Sequence, residues 1–290
     1  MNYITHIILT MLSVIFSTLP RSISLSIGRQ IGTLLYFFPF RKDVAKKNIA
    51  IAFKHLTHSD RKNILFNCYK HYGMVLVDFL CQQSIKEYNL DDYFVFQNDA
   101  KKNLLSANGG CILSAHIGNW ELVLPAMGMN NIKMDTVVME QKNKAADNFY
   151  TKLRTFKNIK LIPKNGALKS LYNAISENRM VGLASDQNAR RQGKKINFFG
   201  ELSSFPKGAG KFYCKTKCKL FIVFCILRSD LKYYIYTHEI KINRQDKSED
   251  EIIELIISEY ASILEEKIKQ HPEQYFWFHK KWSKLIYKNG

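Results

Sequence analysis

The sequence predicts an α/β fold: a mostly parallel, mixed sheet flanked by helices, preceded by a hydrophobic N-terminal helix. Three patterns predict it. Short apolar runs bounded by turn residues, "GGCILSAH" (109–116), "DTVVME" (135–140), "IKLIP" (159–163) and "MVGLAS" (180–185), alternate with segments of helical spacing. That alternation is the signature of parallel strands joined by crossover helices that cover both sheet faces. Two longer β-rich runs, 219–228 and 232–240, then follow one another across a tight turn at Ser229-Asp230, which adds an antiparallel pair. The third pattern is the apolar stretch "YITHIILTMLSVIFSTLP" at residues 3–20.

That first stretch holds no ionisable group besides Tyr3 and His6. It is slightly shorter than the roughly 20 residues of a full span. No basic leader precedes it and no small-x-small cleavage site follows, which argues against a signal peptide. Arg21, Arg29, Arg41, Lys42, Lys46 and Lys47 all come after it, so the positive-inside rule puts the rest of the chain on the cytoplasmic side. "IGTLLYFFPF" (31–40) is too short to span and is expected in the interface. The expected organisation is a single-pass or monotopic anchor with an interfacial segment (1–40), then one domain (41–290). In that domain Ser59 is the expected N-cap of a helix through Ile64, Tyr69, Tyr72, Leu76, Phe79 and Leu80. Further helices are expected near 119–130, 143–157 and 167–178. A last one, about 249–270, runs through Ile252, Ile256, Tyr260, Ile263 and Leu264.

Nearly half of the 290 residues are hydrophobic, enough for a large core. Lys and Arg outnumber Asp and Glu by 43 to 25, and between Gln141 and Leu220 by 18 to 4. Such an excess calls for a solvated basic surface or an anionic partner: nucleic acid, lipid headgroups or an acidic protein. Nucleic acid is disfavoured, because a hydrophobic N-terminus and no nucleic-acid module accompany the charge. The six cysteines form no Cys-x-x-Cys pair, and no His/Cys set completes a zinc site around Cys214 and Cys218. Cys111 and Cys225 lie in apolar runs and read as core thiols, so no metal and a reducing compartment are expected.

In open α/β sheets, sites form at the carboxyl ends of strands, where both His116 and Asp186 fall. "SAHIGNWELVL" (114–124) also sets Glu121 five residues after His116. The spacing alone says little, since His55 and Asp60 repeat it in a polar turn. On one straight helix, residues five apart point about 140° away from each other. A working pair therefore needs a turn, and Gly118-Asn119 offer one. Glu121 would then orient one imidazole nitrogen and leave the other as a general base. Without a nucleophile elbow or a neighbouring cysteine, such a dyad suits activation of a substrate hydroxyl, with basic or amide groups receiving the developing oxyanion. A satisfied strand-end histidine beside a helix-start acid is the competing reading.

With these blocks in view the chain resembles the lipid A biosynthesis lauroyl/myristoyl acyltransferases of Gram-negative bacteria, enzymes of glycerolipid acyltransferase-like fold. The resemblance rests on the hydrophobic N-terminus, "VAKKNIAIAF" (44–53), "SAHIGNWELV", "LRTFKNIKLIP" (153–163), "LASDQNARRQGKKINFFG" (183–200) and "HPEQYFWFHKKW" (271–282), in the family's order. It implies transfer of a fatty acyl chain from acyl carrier protein, or coenzyme A, to a hydroxyl of a lipid A precursor at the cytoplasmic face of the inner membrane. No cofactor is implied beyond that acyl co-substrate. Carried over, His116 is the base and Glu121 its orienting acid. Arg154, Asp186, Gln187 and Asn119 become substrate- or oxyanion-binding candidates, with Asp186 anchoring Arg154 or a neighbouring backbone. Arg190, Arg191, Lys194 and Lys195 become candidate contacts for an acidic carrier protein or a phosphorylated lipid, and "HKKW" (279–282) a candidate membrane-interface element. "FPKG" (205–208) departs from the Phe-Pro-Glu-Gly phosphate motif of glycerolipid acyltransferases at Lys207 and is read as coincidence. Two alternatives stand beside this reading: an acyltransferase of another glycolipid or aminolipid, and a non-catalytic basic protein that binds membranes.

Overall fold

Apolar residues at every position of some strands, rather than at alternate ones, mean burial on both faces, and the structure bears this out. The computed structural model describes residues 2–39 and 41–287. Its helices are α1 (Asn2–Thr18), α2 (Arg21–Phe37), α3 (Lys42–Ala52), α4 (His58–Cys81), α5 (Leu90–Tyr93), α6 (Ala100–Leu105), α7 (Val123–Gly128), α8 (Lys144–Leu153), α9 (Ala167–Ser176), α10 (Gly208–Thr216) and α11 (Glu249–Gln270). Its strands are β1 (Phe94–Phe96), β2 (Gly110–Ser114), β3 (Met134–Val138), β4 (Ile159–Pro163), β5 (Met180–Ala184), β6 (Lys194–Phe198), β7 (Glu201–Phe205), β8 (Lys219–Leu227) and β9 (Tyr233–Ile240).

Seven strands form one sheet in the order β1-β9-β8-β2-β5-β3-β4, while β6 and β7 make a separate antiparallel hairpin. Every pairing in the large sheet is parallel except β8 with β9. β8 shows how the sequence builds two cores. Leu220, Ile222, Phe224 and Ile226 join the cluster formed by α9, α10, α11 and the C-terminal segment. The residues between them, Phe221, Val223, Cys225 and Leu227, join the cluster under α6 and α7. Period two along a strand thus becomes two packed layers.

The N-terminal region differs from the expectation. Leu19 and Pro20 interrupt the apolar stretch, so α1 stops at Thr18. Among the described residues, no helix is long and apolar enough to cross a membrane, so the single-pass form of the expected anchor is not supported. Helix α2 instead lies against α4 at small residues. A Cβ on Gly32 would sit 2.1 Å from the Tyr69 carbonyl oxygen, and one on Gly73 would sit 2.0 Å from that of Gly28. Two backbones this close tolerate glycine alone at the crossing. The start of α4 also shifts: Thr57 rather than Ser59 is its N-cap, in a reciprocal capping box with Asp60.

Candidate active site

β2 and β5 are neighbours in register, with Ser114 opposite Ala184. Two residues beyond each strand end the chain delivers His116 and Asp186 to the same edge of the sheet. They meet there. His116 Nδ1 lies 2.8 Å from Asp186 Oδ1, and the His116 backbone N–H donates to Oδ2 at 3.2 Å. The carboxylate is fully buried. With Nδ1–H donating to it, the lone pair of Nε2 is left facing outward, where the Gln187 carboxamide lies 3.5 Å away.

Charge tunes the pair. Burial works against the imidazolium, but Asp186 and then Glu121 offset it and raise His116 above its ordinary value. Burial likewise works to raise the Asp186 carboxyl, yet His116, His279 and Lys281 hold it well below the usual carboxylate range. His279, whose ring centroid is 6.1 Å from that of His116, is lowered by burial to about 4, with Asp186 opposing and His116 adding to the fall. It stays neutral beside its partner.

The partner of His116 is therefore Asp186 and not Glu121. Both Glu121 oxygens are taken by Arg154, through Nε at 2.8 Å and Nη2 at 2.7 Å. Nor does Asp186 anchor Arg154; it holds the His116 ring and backbone. The helix expected near 119–130 is a single 3-10 turn, Trp120–Leu122, running into α7, and Glu121 sits in that turn. The turn aims Glu121 along the sheet edge toward the end of α8, where Arg154 is the C-cap. Asn119 also departs from expectation. It is fully buried and donates to Tyr233 Oη at 3.2 Å, so it faces the core rather than a substrate.

Several elements clamp the turn. Gly118 has φ +62°, and a Cβ there would fall 1.9 Å from the Cys225 carbonyl oxygen. Its N–H donates to the Gln274 carbonyl at 2.9 Å, the Asn119 N–H to the Cys225 carbonyl at 2.8 Å, and the Phe276 N–H to the His116 carbonyl at 2.8 Å. His71, lowered by burial to about 4 and so neutral, donates from Nε2 to the Gly118 carbonyl at 3.1 Å. The Gln274 side chain caps the end of β8, accepting from Leu227 N–H and donating to its carbonyl. The C-terminal "HPEQYFWFHKKW" block is thus the brace of this turn. Trp277, Lys281 and Trp282 are buried, which removes Lys281 and Trp282 from the membrane interface expected for them. Sequence reasoning missed this role because the block's contacts are long-range; its density of Trp, Tyr and Phe was the available signal.

Beside the histidine, β2, β3, β5 and α7 enclose a pocket of about 220 Å³. Its wall is mostly aliphatic, including Ile112, Val123, Leu124, Met134 and Val137, and the Glu121–Arg154 pair lies in its lining with Trp120. Ser114 is also there, but its hydroxyl donates to the Val223 carbonyl at 3.0 Å and is not poised as a nucleophile. Of the basic residues expected to meet an anionic partner, Arg190, Arg191 and Lys195 line an open groove with Trp282 and Lys284. Lys194 is instead paired with Asp250 and Glu254, each at 2.6 Å. Among the described residues, no cluster of three or more His, Cys, Asp or Glu is arranged to hold a metal ion.

The family model of the bacterial lipid A biosynthesis acyltransferases matches residues 1–284. The chain belongs to that family. It is 21% identical over 272 residues to the lipid A biosynthesis palmitoleoyltransferase of Escherichia coli strain K12, covering 91% of this chain and 86% of that one. It is also 26% identical over 131 residues to a phosphatidylinositol mannoside acyltransferase of Mycolicibacterium smegmatis, a match spanning 43% of each protein. The crystal structure of the 1-acyl-sn-glycerophosphate acyltransferase PlsC from Thermotoga maritima aligns over 93% of this chain and 98% of that one, with 14% identity and a TM-score of 0.37. The chain is an O-acyltransferase, and the strand-end histidine with its buried carboxylate lies inside the region the family model covers.

Proposed function

We propose that this acyltransferase moves a fatty acyl chain from acyl carrier protein, or coenzyme A, to a hydroxyl of a lipid A precursor, with His116 as the general base. One observation supports this above the others. His116 has its Nδ1 committed to a buried carboxylate, its Nε2 turned outward with the Gln187 carboxamide 3.5 Å away, and an apolar pocket without a poised nucleophile next to it. That arrangement activates an incoming hydroxyl rather than a residue of the protein.

The acceptor O–H gives its proton to Nε2 while its oxygen attacks the thioester carbonyl carbon. The tetrahedral oxyanion collapses, the carbon–sulfur bond breaks, and the thiolate leaves with the proton returned by His116. Asp186 stabilises the imidazolium between the two transfers. Arg154, held in place by both oxygens of Glu121, presents its remaining N–H groups to the thioester or its oxyanion. The aliphatic pocket takes the acyl chain, each buried methylene contributing about 0.8 kcal/mol. Arg190, Arg191 and Lys195 are the candidate contacts for the acidic carrier or for phosphates of the acceptor.

The same reading locates the reaction at the cytoplasmic face of the inner membrane. Ile4, Ile8, Met11 and Ile15 form one exposed stripe along α1, and Leu34, Phe37 and Phe38 are exposed at the end of α2. Apolar area of this kind suits a monotopic seat in the interface rather than a span. Test mixtures contain membranes with the enzyme, acyl donor and either a lipid A precursor or a mannosylated phosphatidylinositol. A mass gain of one acyl chain on the lipid A precursor, lost in His116→Ala, is expected. Gain on the mannoside alone would replace the acceptor, and near-normal activity of His116→Ala would overturn the mechanism.

A further inference from the structure

We propose that Lys281 is a positioning residue for acyl transfer: its ammonium group fixes the Asp186 backbone and, through Asp186, the His116 imidazole. This rests on the reading of His116 as the base.

Lys281 is fully buried. Its Nζ donates to the Asp186 carbonyl oxygen at 2.5 Å and lies 3.4 Å from the ring centroid of Phe205 and 5.2 Å from that of Phe198. Both rings belong to the β6–β7 hairpin and are themselves buried. The Lys281 carbonyl accepts from Ser203 Oγ at 3.0 Å, and the Trp282 carbonyl accepts from Asn188 Nδ2 at 2.8 Å. The segment is thereby stitched to the hairpin on one side and to the loop after β5 on the other.

A lysine is among the residues least often fully buried, because an ammonium loses its hydration there. Filling this space would need only a methionine, since a buried charge is weak evidence for stability. What the lysine adds is local to the site. The last sheet bond at this edge is from Ser185 N–H to the Ser114 carbonyl. Asp186 lies one residue beyond it, where the ladder no longer sets its backbone. Lys281 supplies that constraint, and its charge faces the Asp186 carboxylate, which also sees His116 from the β2 turn, His279 and Tyr275 from the C-terminal segment and Tyr260 from α11. Burial lowers the ammonium to about 7, and Asp186 opposes that fall.

The test uses the full chain carrying Lys281→Met, with Lys281→Gln as a variant that keeps a donor but no charge. Acyl donor and lipid A precursor serve as substrates. For the Met variant, kcat is expected to fall at least 30-fold with KM within threefold and a thermal midpoint no lower than that of the wild type. The Gln variant is expected to recover part of the loss. The downfield proton resonance of His116 Nδ1–H bonded to a carboxylate is expected to broaden or vanish in the Met variant. A kcat within threefold of wild type, or a loss that tracks the unfolded fraction while the resonance stays sharp, overturns the proposal. Should Met prevent folding, the same two readouts on the Gln variant decide. The resonance reports the His116–Asp186 bond whether or not that pair is catalytic. If it vanishes in the Met variant while His116→Ala stays active, Lys281 positions the pair and the reading of the site is what fails.

Discussion

Replacing Asp186 by Asn keeps the shape of a fully buried side chain and removes its charge. In the wild type two N–H groups point at its two oxygens, the His116 backbone N–H and Nδ1–H. An amide has one oxygen for those two donors. Either the backbone N–H loses its acceptor, or the amide NH₂ faces Nδ1 and forces the proton onto Nε2, where it abolishes the base. Losing one partner of a buried ionic hydrogen bond costs about 3–5 kcal/mol. That cost falls on the transition state, where the imidazolium forms. At about 1.36 kcal/mol per tenfold, kcat should drop roughly 10²- to 10⁴-fold while KM changes little. The pH profile adds a sign. On the proposed mechanism His116 works as the neutral base, and Asp186 raises its pKa, so any residual activity of the Asn variant should have its acid limb at lower pH. Stability follows the same linkage. The carboxyl of Asp186 is depressed in the folded state, so its contribution is present above the unfolded carboxylate pKa and lost as pH falls through the folded one. His116, being raised, contributes fully below its ordinary value and loses that contribution as pH rises through the folded one. Between pH 9 and 5 only His116 of the pair titrates, so the wild type should gain stability as pH falls through the folded His116 value and the Asn variant should lack that gain. Steady-state acyl transfer between pH 5 and 9, with thermal melts in the same buffers, reads both effects. A kcat within threefold of wild type would refute the role assigned to Asp186.

Two further outcomes follow from packing. Gly118→Ala places a methyl 1.9 Å from the Cys225 carbonyl oxygen at φ +62°. It should lower the midpoint of thermal unfolding by several degrees and reduce kcat at least tenfold, since clash and backbone strain each cost about 1–3 kcal/mol; an unchanged melt would show that the turn is softer than its contacts indicate. Leu124→Phe narrows the aliphatic pocket and should shift selectivity toward shorter acyl chains, each excluded methylene forfeiting about 0.8 kcal/mol. Competition between acyl donors of different length, read by mass spectrometry, would show no shift if the chain binds elsewhere.

Strands were legible in the sequence because each is a short apolar run between turn residues, and "IKLIP" and "KLFIVFCILR" became β4 and β8 within a residue of their expected ends. The β6–β7 hairpin was not legible. Its two strands share the Lys-rich stretch that reads as a surface, and Ile196, Phe198 and Phe205 are buried, the two phenylalanines against Trp282 and Lys281, some 80 positions later in the chain. Hydropathy marked the N-terminus as apolar but could not distinguish a span from a helix that stops at Thr18, before Pro20, with one stripe exposed, since both have the same composition. Gly28, Gly32 and Gly73, which let α2 lie on α4, announce themselves only once both helices are in place.

The same limit explains the exchange of partners at the site. Sequence distance favoured Glu121 for His116, being five residues away, over Asp186 at seventy. Sheet geometry inverts that order. Parallel neighbours β2 and β5 carry their next residues side by side, so Asp186 arrives opposite His116 without any help from a turn. The turn at Gly118 serves a different end: it carries Glu121 away from the histidine and onto Arg154. One acid per base and one acid per guanidinium is electrostatically better than two acids on one imidazole. Shared, they would raise the imidazole further and leave the guanidinium unpaired at the edge of an aliphatic pocket. The His-x4-Glu spacing is thus a signature of two adjacent devices, a carboxylate-held histidine and an oriented cation, with the buried Asp186 behind the first and the turn itself joining them.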